Sequence, residues 1–412
     1  MFFLLDCFCS KWSNFCMISR KLVDFSTKNS FFLFGPRQTG KTTALLSFLK
    51  QNHENRYWTV NLLLSGSFLT YEKDPSQFSR DAIYQIEKKQ VRCIFVDEVQ
   101  KIPLLLDEIH QLIESYKDVY FILSGSSARK LKRGGANLLG GRALVRHLFP
   151  LTFAELEDNF DLERVLTIGT LPGIYFDSPA VALDKLRSYT EVYLKEEIIF
   201  EALLRKVGDF HRFLEVAAQH TSEIVNFENI SREAATKGKT VKGYFQILED
   251  TLIGHTLPAW DQSIRKQLSL HPKFYFFDNG VVNGILGSLD GIKFPEFRGK
   301  LFEQWLINEI RANIVYSKAP IKMHFWRTQA GTEVDLILSK SAKPFAAIEF
   351  KAQKEIGKKH LAGIKSFSEE YAVDNKVLVC EVATSSIYDG IEVLSLTDFL
   401  SKRLGELISP KA

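Results

Sequence analysis

Short apolar runs alternate with amphipathic stretches over residues 30–124, the rhythm of a parallel sheet with helices on both faces. Phe31–Phe34 predicts a strand and residues 42–51 a helix, with a glycine-containing turn between them. Further strands are expected over Tyr57–Leu62, Val91–Val96 and Val119–Leu123, and helices over Ala82–Lys89 and Leu104–Tyr116. Arg129–Gly141 is basic and glycine-rich, as a mobile surface segment would be, and residues 180–206 carry helical patterning. Phe213–His220, Glu228–Ala235 and Val241–Leu248 predict three short helices separated by polar turns. A long amphipathic helix begins at Phe297 and precedes strands at Met323–Arg327, Glu333–Leu338, Phe345–Phe350 and Val377–Glu381. The expected fold class is α/β, with a parallel-sheet domain over 17–180, a helical segment over 181–290 and a second α/β domain over 291–405.

Composition narrows the setting. A chain of 412 residues is too long for one ordinary core, and 45% apolar with 25% charged residues is globular usage. A net charge of only +4 means that a nucleic-acid partner has to be argued from local features. Three of the five cysteines, Cys7, Cys9 and Cys16, precede Met17, while Cys93 and Cys380 lie in apolar runs that suit buried thiols. Neither a disulfide framework nor a zinc spacing is visible, which fits a reducing, cytoplasmic compartment. The opening run Met1–Cys9 is apolar but broken by Asp6, and it falls short of the about 20 residues that span a bilayer. No stable membrane insertion is expected. The composition changes at Met17, so residues 1–16 read as an upstream extension without a structural role, with a short membrane-associated anchor as the alternative.

Gly35-Pro36-Arg37-Gln38-Thr39-Gly40-Lys41-Thr42 is Gly-x4-Gly-Lys-Thr, followed by Thr43, between an apolar strand and a helix. Glycines there let backbone N–H groups wrap phosphates at a helix N-terminus, where the dipole favours an anion. Lys41 is expected to reach the β- and γ-phosphates, and the Thr42 hydroxyl to ligate magnesium. Ile94-Phe95-Val96-Asp97-Glu98 delivers two carboxylates at a strand's C-terminal end, beside such a loop in a parallel sheet. Asp97 would hold magnesium through water, and Glu98 would activate the attacking water. Ser124 ends the next strand and is expected beside the γ-phosphate, with a polar strand cap as the alternative. Arg142 and Arg146 are candidate γ-phosphate arginines, in cis or in trans, or plain surface residues.

These elements resemble the AAA-type ATPases, whose glutamate directly follows the magnesium aspartate. More narrowly, Gly-Pro-Arg-Gln-Thr-Gly-Lys-Thr, Val-Asp-Glu-Val-Gln-Lys-Ile-Pro, Leu-Ser-Gly-Ser-Ser, Leu-Gly-Gly-Arg and Phe-Pro-Leu-Thr-Phe-Ala-Glu-Leu resemble one prokaryotic family over residues 17–400. The resemblance implies ATP and Mg2+ as cofactors and ATP hydrolysis as the activity, without a settled biological role. It also implies a winged-helix element in the middle of the chain, where Arg232, Lys237, Lys239 and Lys242 accompany Thr240–Phe245. Residues 228–245 are thus the candidate DNA contact, with a module that packs between domains as the alternative. Asp278, in Phe276-Phe277-Asp278-Asn279-Gly280, matches a family signature but is expected to be a turn or cap.

The C-terminal unit places Glu303 on the helix Leu301–Ile310 and Asp335 on a strand, with Glu349 and Lys351 on one face of the next strand. Three carboxylates of this kind can hold magnesium at a scissile phosphate, with Lys351 beside the attacking hydroxide. The order resembles the restriction-endonuclease-like fold, Asp, a gap, then Glu-x-Lys with an upstream helical glutamate. The leading expectation is ATP hydrolysis coupled to DNA handling, with cutting by this set if it is active. One alternative is an ATP-switched DNA- or protein-binding regulator whose nuclease-like domain is inactive. Another is the ATPase of a toxin or phage-defence assembly. A homo-oligomer is compatible with each.

Overall fold

The computed structural model describes residues 29–53, 56–127, 139–194, 207–263, 270–288 and 295–409, together with Arg20, Phe25 and Gln267. The expected extension over 1–16, most of the basic segment over 129–141 and the end of the predicted helix over 180–206 lie outside these residues.

Five parallel strands form the first sheet in the order β2-β3-β4-β1-β5. They are β1 (Ser30–Phe34), β2 (Tyr57–Asn61), β3 (Cys93–Asp97), β4 (Tyr120–Gly125) and β5 (Ala143–His147). Every residue of β1, β3 and β4 is buried, as strands covered on both faces require. That explains why they read as continuous apolar runs. Helix α1 (Lys41–Asn52) follows β1, while α2 (Ser65–Lys73), α3 (Pro75–Lys89) and α4 (Leu105–Ser115) cross between the later strands. The pattern missed α2, which buries only Tyr71, and β5, an edge strand with Leu144 and Val145 exposed.

The middle of the chain is helical: α5 (Leu162–Ile168), α6 (Pro179–Ser188), α7 (Val207–Gln219), α8 (Phe227–Glu233) and α9 (Gly238–Asp250). An antiparallel hairpin of β6 (Gly254–Leu257) and β7 (Lys273–Phe276) follows, then α10 (Asn279–Ile285). Aromatic rings join the helices to the hairpin. Phe213, Phe245 and Phe274 meet edge to face, with centroids 5.0 and 4.8 Å apart.

Helix α11 (Pro295–Tyr316) leads into a mixed six-stranded sheet ordered β12-β13-β11-β10-β9-β8. Its strands are β8 (Lys322–Arg327), β9 (Glu333–Lys340), β10 (Lys343–Lys351), β11 (Asn375–Cys380), β12 (Ser386–Tyr388) and β13 (Ile391–Ser395). Helix α12 (Ala362–Glu370) packs on β9 and β10. The middle helices and this sheet share one apolar core that runs from Leu151 to Ile408. The loop after β6 reinforces the junction, because Trp260 N donates to Phe325 O at 2.5 Å and Phe325 N donates to Pro258 O at 3.0 Å. The chain is therefore α/β, a parallel-sheet domain followed by a helical segment and a C-terminal α/β domain.

Candidate functional site

The phosphate loop leaves the C-terminal end of β1 and enters α1 at Lys41. Gly40 has φ +84°, a left-handed conformation that glycine adopts without strain, and this turn opens the helix. Lys41 Nζ donates to the carbonyls of Gly35 at 2.8 Å and Pro36 at 3.0 Å. Thr42 Oγ1 donates to Asp97 Oδ2 at 2.9 Å, and Ser124 Oγ donates to Asp97 Oδ1. The three strand ends predicted to meet do so, with Asp97 between two hydroxyls. A cavity of about 310 Å³ opens beside them, lined among others by Arg37, Gln38, Lys41, Thr42, Thr43, Glu98 and Tyr189.

Glu98 takes φ 59° at the end of β3, so its carboxylate faces the cavity rather than continuing the strand. Burial raises its pKa, and Asp97 adds to this, while Lys41, Arg37 and the Gln100 amide hold it down. Gln100 Nε2 donates to Glu98 Oε2 at 2.6 Å and to Ser126 Oγ at 3.1 Å. Gln100 thus fixes the rotamer of a general-base candidate. It stood in the quoted motif without a role, and Tyr189 had no local signal at all.

These side chains suit magnesium and a nucleotide. Two hydroxyls flank the Asp97 carboxylate, and hard oxygen donors are what magnesium prefers. Arg142 does not join them. It precedes β5 at the N-terminal end of the sheet and pairs with Glu114 at the end of α4, whereas the loop follows β1 at the C-terminal end. Within one chain Arg142 thus lies at the other end of the sheet from the loop, which leaves the in-trans and surface readings of it. Arg146 lies on β5 opposite Leu33, one register position nearer the loop end than Val145, with its Nε buried and unpartnered.

Arg20 ties the loop to the rest of the chain. Its guanidinium donates to Thr39 O at 2.8 Å, Phe149 O at 2.7 Å, Glu155 Oε1 at 2.7 Å and the Tyr316 hydroxyl at 3.2 Å. Tyr316 ends α11, the helix that carries Glu303. Asp278 caps α10 by accepting from Val281 N at 3.2 Å, and it also accepts from Thr170 N at 2.7 Å. Burial raises its pKa to about 6. Arg232, Lys237, Lys239 and Lys242 are exposed around α8 and α9, and Lys242 Nζ lies 5.1 Å from the Phe227 ring centre.

In the C-terminal domain Glu303, Asp335, Glu349 and Lys351 converge as expected. Lys351 Nζ donates to Glu349 Oε1 at 2.6 Å and lies 3.9 Å from Asp335 Oδ2, which accepts from Phe350 N at 2.9 Å. A residue that the sequence reading missed sits among them. Lys273, the first residue of β7, donates to Glu303 Oε1 at 2.8 Å, pairs with Glu333 and lies 3.8 Å from Asp335 Oδ1. Its side chain is 3% exposed. Burial pulls the Lys273 pKa down, but the surrounding carboxylates outweigh it and hold the ammonium charged. Burial likewise raises Glu303 to about 7 and Glu349 to about 8, with Asp335 adding to both.

Among the described residues no group of three or more His, Cys, Asp and Glu is arranged to hold a metal ion. Glu303, Asp335 and Glu349, the expected magnesium ligands, instead meet around the ammoniums of Lys273 and Lys351. Lys273 Nζ stands among Glu303, Glu333 and Asp335, and its charge repels a cation there. Only the aromatic run behind Lys273 hinted that this lysine starts a buried strand, and no local pattern pairs it with carboxylates on α11 and β9.

Residues 27–157 match the AAA domain family. Residues 159–290 and 298–399 each match a domain of unknown function (DUF8612 and DUF4143). The chain is similar to an uncharacterized protein of Mycobacterium tuberculosis, 24% identical over 318 residues, 76% of this chain and 68% of that one. An uncharacterized protein of Haemophilus influenzae is 23% identical over 304 residues, 66% of this chain and 74% of that one. Among solved structures, domain III of the Thermotoga maritima replication initiation protein DnaA is 21% identical with a TM-score of 0.25. That match covers 31% of this chain and spans 58% of the other. AMPPCP-bound DnaA from Aquifex aeolicus is 16% identical with a TM-score of 0.26, covering 54% of this chain and 82% of that one. Residues 27–157 are a P-loop domain of AAA type. Among the described residues no helix is long and apolar enough to cross a membrane.

Proposed function

We propose that the protein binds ATP with magnesium at Gly35–Thr43 and Asp97 and hydrolyses it, using the cycle to control a DNA contact made by residues 228–245 in the cytoplasm. The observation that carries the first half is the Thr42–Asp97–Ser124 set, whose Thr42 lines, with Lys41 and Glu98, a cavity of about 310 Å³. Lys41 and the loop N–H groups would bind the β- and γ-phosphates, as the N-terminus of α1 favours anions. Thr42 and Asp97 would hold magnesium, which neutralises charge developing on the phosphates. Glu98, oriented by Gln100, would take the proton of the attacking water; its raised pKa brings it nearer the working pH of a base.

The second half rests on three helices followed by a hairpin, the order of a winged helix, with four exposed cations around α8 and α9. The reading with an inactive nuclease-like domain is favoured over cutting, because Lys273 occupies the carboxylate cluster. The test is steady-state ATP hydrolysis alongside nucleotide binding by fluorescence. Lys41→Ala should lose both, while Glu98→Gln should keep binding and slow turnover about 100-fold or more. Wild-type turnover in Glu98→Gln would remove Glu98 from the role.

A further inference from the structure

The chemistry around Lys273 goes beyond the loss of a metal site. β7 belongs to the middle segment, whereas the carboxylates it meets belong to α11 and β9 of the C-terminal domain. Lys273 Nζ reaches Glu303 and Glu333 within hydrogen-bond distance and stands 3.8 Å from Asp335. Tyr275, on the same face of β7, donates its hydroxyl to Glu303 Oε1 at 2.7 Å. One strand of the hairpin therefore supplies both a cation and a neutral donor to a single carboxylate.

The remaining acid faces a different wall. Glu349 Oε1 accepts from Lys351, while its Oε2 is buried without a hydrogen-bond partner. Above it runs α12, whose Gly363 approaches so closely that a Cβ there would lie 2.0 Å from Glu333 O and 3.5 Å from Glu349 Oε2. The cluster is thus filled by an ammonium on one side and roofed by backbone on another. Four carboxylates, Glu303, Glu333, Asp335 and Glu349, face two ammoniums. Burying four carboxyl groups together is costly unless cations or protons offset their charge, and Lys273 and Lys351 supply cations here.

We infer that Lys273 is a built-in cation that replaces the divalent metal of the C-terminal cluster, locking the β6–β7 hairpin onto that domain and leaving a latent metal site beneath it. The inference rests on the restriction-endonuclease-like reading only for the word "replaces"; the lock and the latent site rest on the contacts themselves. It is independent of ATP hydrolysis, so the two readings can fail separately. Deleting the ammonium leaves Glu303, Glu333 and Asp335 around the space it held. Freed of the ammonium, these side chains can turn to present carboxylate oxygens, the ligands that Mn2+ or Mg2+ take.

The experiment is calorimetric titration of Mn2+ into the full chain without nucleotide, with thermal unfolding in parallel. Wild type, Lys273→Ala and Lys273→Met are compared, each with and without Asp335→Asn. Wild type should show no Mn2+ binding that depends on Asp335. Both Lys273 variants should gain such binding, with affinity about 100-fold or more above wild type because a like charge has been removed. Their melting temperatures should rise with Mn2+ while that of wild type stays unchanged. Asp335-dependent Mn2+ binding by wild type would overturn the inference, as would folded Lys273 variants that gain none. Should neither variant fold, the wild-type and Asp335→Asn pair still decides: no difference in Mn2+ binding supports the built-in cation, and a loss on substitution refutes it.

Discussion

The nucleotide site and the C-terminal cluster use the same materials, a strand aspartate, a neighbouring glutamate and a lysine, and arrange them to opposite ends. At the loop, Asp97 faces the hydroxyls of Thr42 and Ser124, while Lys41 rests on the carbonyls of Gly35 and Pro36. The acid that lines the cavity of about 310 Å³ is Glu98, beside Lys41 and Arg37. In the cluster, two lysines are already inside and the aspartate also accepts a backbone N–H. Residue type therefore says little about metal binding. What separates the two sites is where the lysine stands, on backbone carbonyls at the loop and among carboxylates in the cluster.

Arg20 links the loop, through Thr39 O, to Tyr316 at the end of the helix that bears Glu303. Its ion pair with Glu155 is buried, at 6% and 0% exposure. Arg20→Ala should cost about 3–5 kcal/mol of stability, because it strands a buried carboxylate. Urea unfolding checks this, and Arg20→Ala combined with Glu155→Gln should recover part of the loss. A loss under about 1 kcal/mol would mean that the two regions are held together elsewhere.

Much of the nucleotide site was legible in the sequence because its parts are short and contiguous. The loop, the strand ending in Asp97-Glu98 and the strand ending in Ser124 each carry a local signal, and a parallel sheet brings such ends together. The place of Arg142 was not legible because a linear pattern gives no end of the sheet, and β5, none of whose residues is fully buried, gave no strand signal. In the C-terminal domain the four expected residues did converge. Lys273 was invisible because it arrives from a hairpin whose strands are only four residues long. Its partners are set by tertiary packing, not by spacing.

The exposed cations outside both sites set a smaller effect. Charge reversal at Lys239 and Lys242 should weaken DNA binding and reduce the slope of log affinity against log salt by about 2, since each phosphate contact adds nearly one. A salt titration by fluorescence anisotropy measures it. An unchanged slope would assign α8 and α9 to a protein contact.

His220 is the half-exposed counterpart of Lys273, a cation set between two carboxylates. Its ring nitrogens lie 2.7 Å from Glu223 and 2.8 Å from Glu233, and Lys300 also pairs with Glu223. The hydrogen bond to Glu223 raises its pKa to about 9, against the pull of burial, with Glu233 adding to the rise. A histidine whose folded pKa lies above its unfolded 6.5 stabilises fully below that value and loses the contribution as pH climbs through about 9. Wild-type stability should thus fall slightly over that window, and His220→Gln should flatten the change. Equal pH profiles would show that the ring is not charged when folded.

The contrast between the two sites comes down to how many divalent cations the chain binds and where. Electron paramagnetic resonance of Mn2+, titrated with and without a non-hydrolysable ATP analogue, counts them. One bound Mn2+ per chain is expected with the analogue, lost in Asp97→Asn, and none is expected without it. A nucleotide-independent Mn2+ that disappears in Asp335→Asn would contradict the assignment of Lys273 and restore a metal centre to the C-terminal domain.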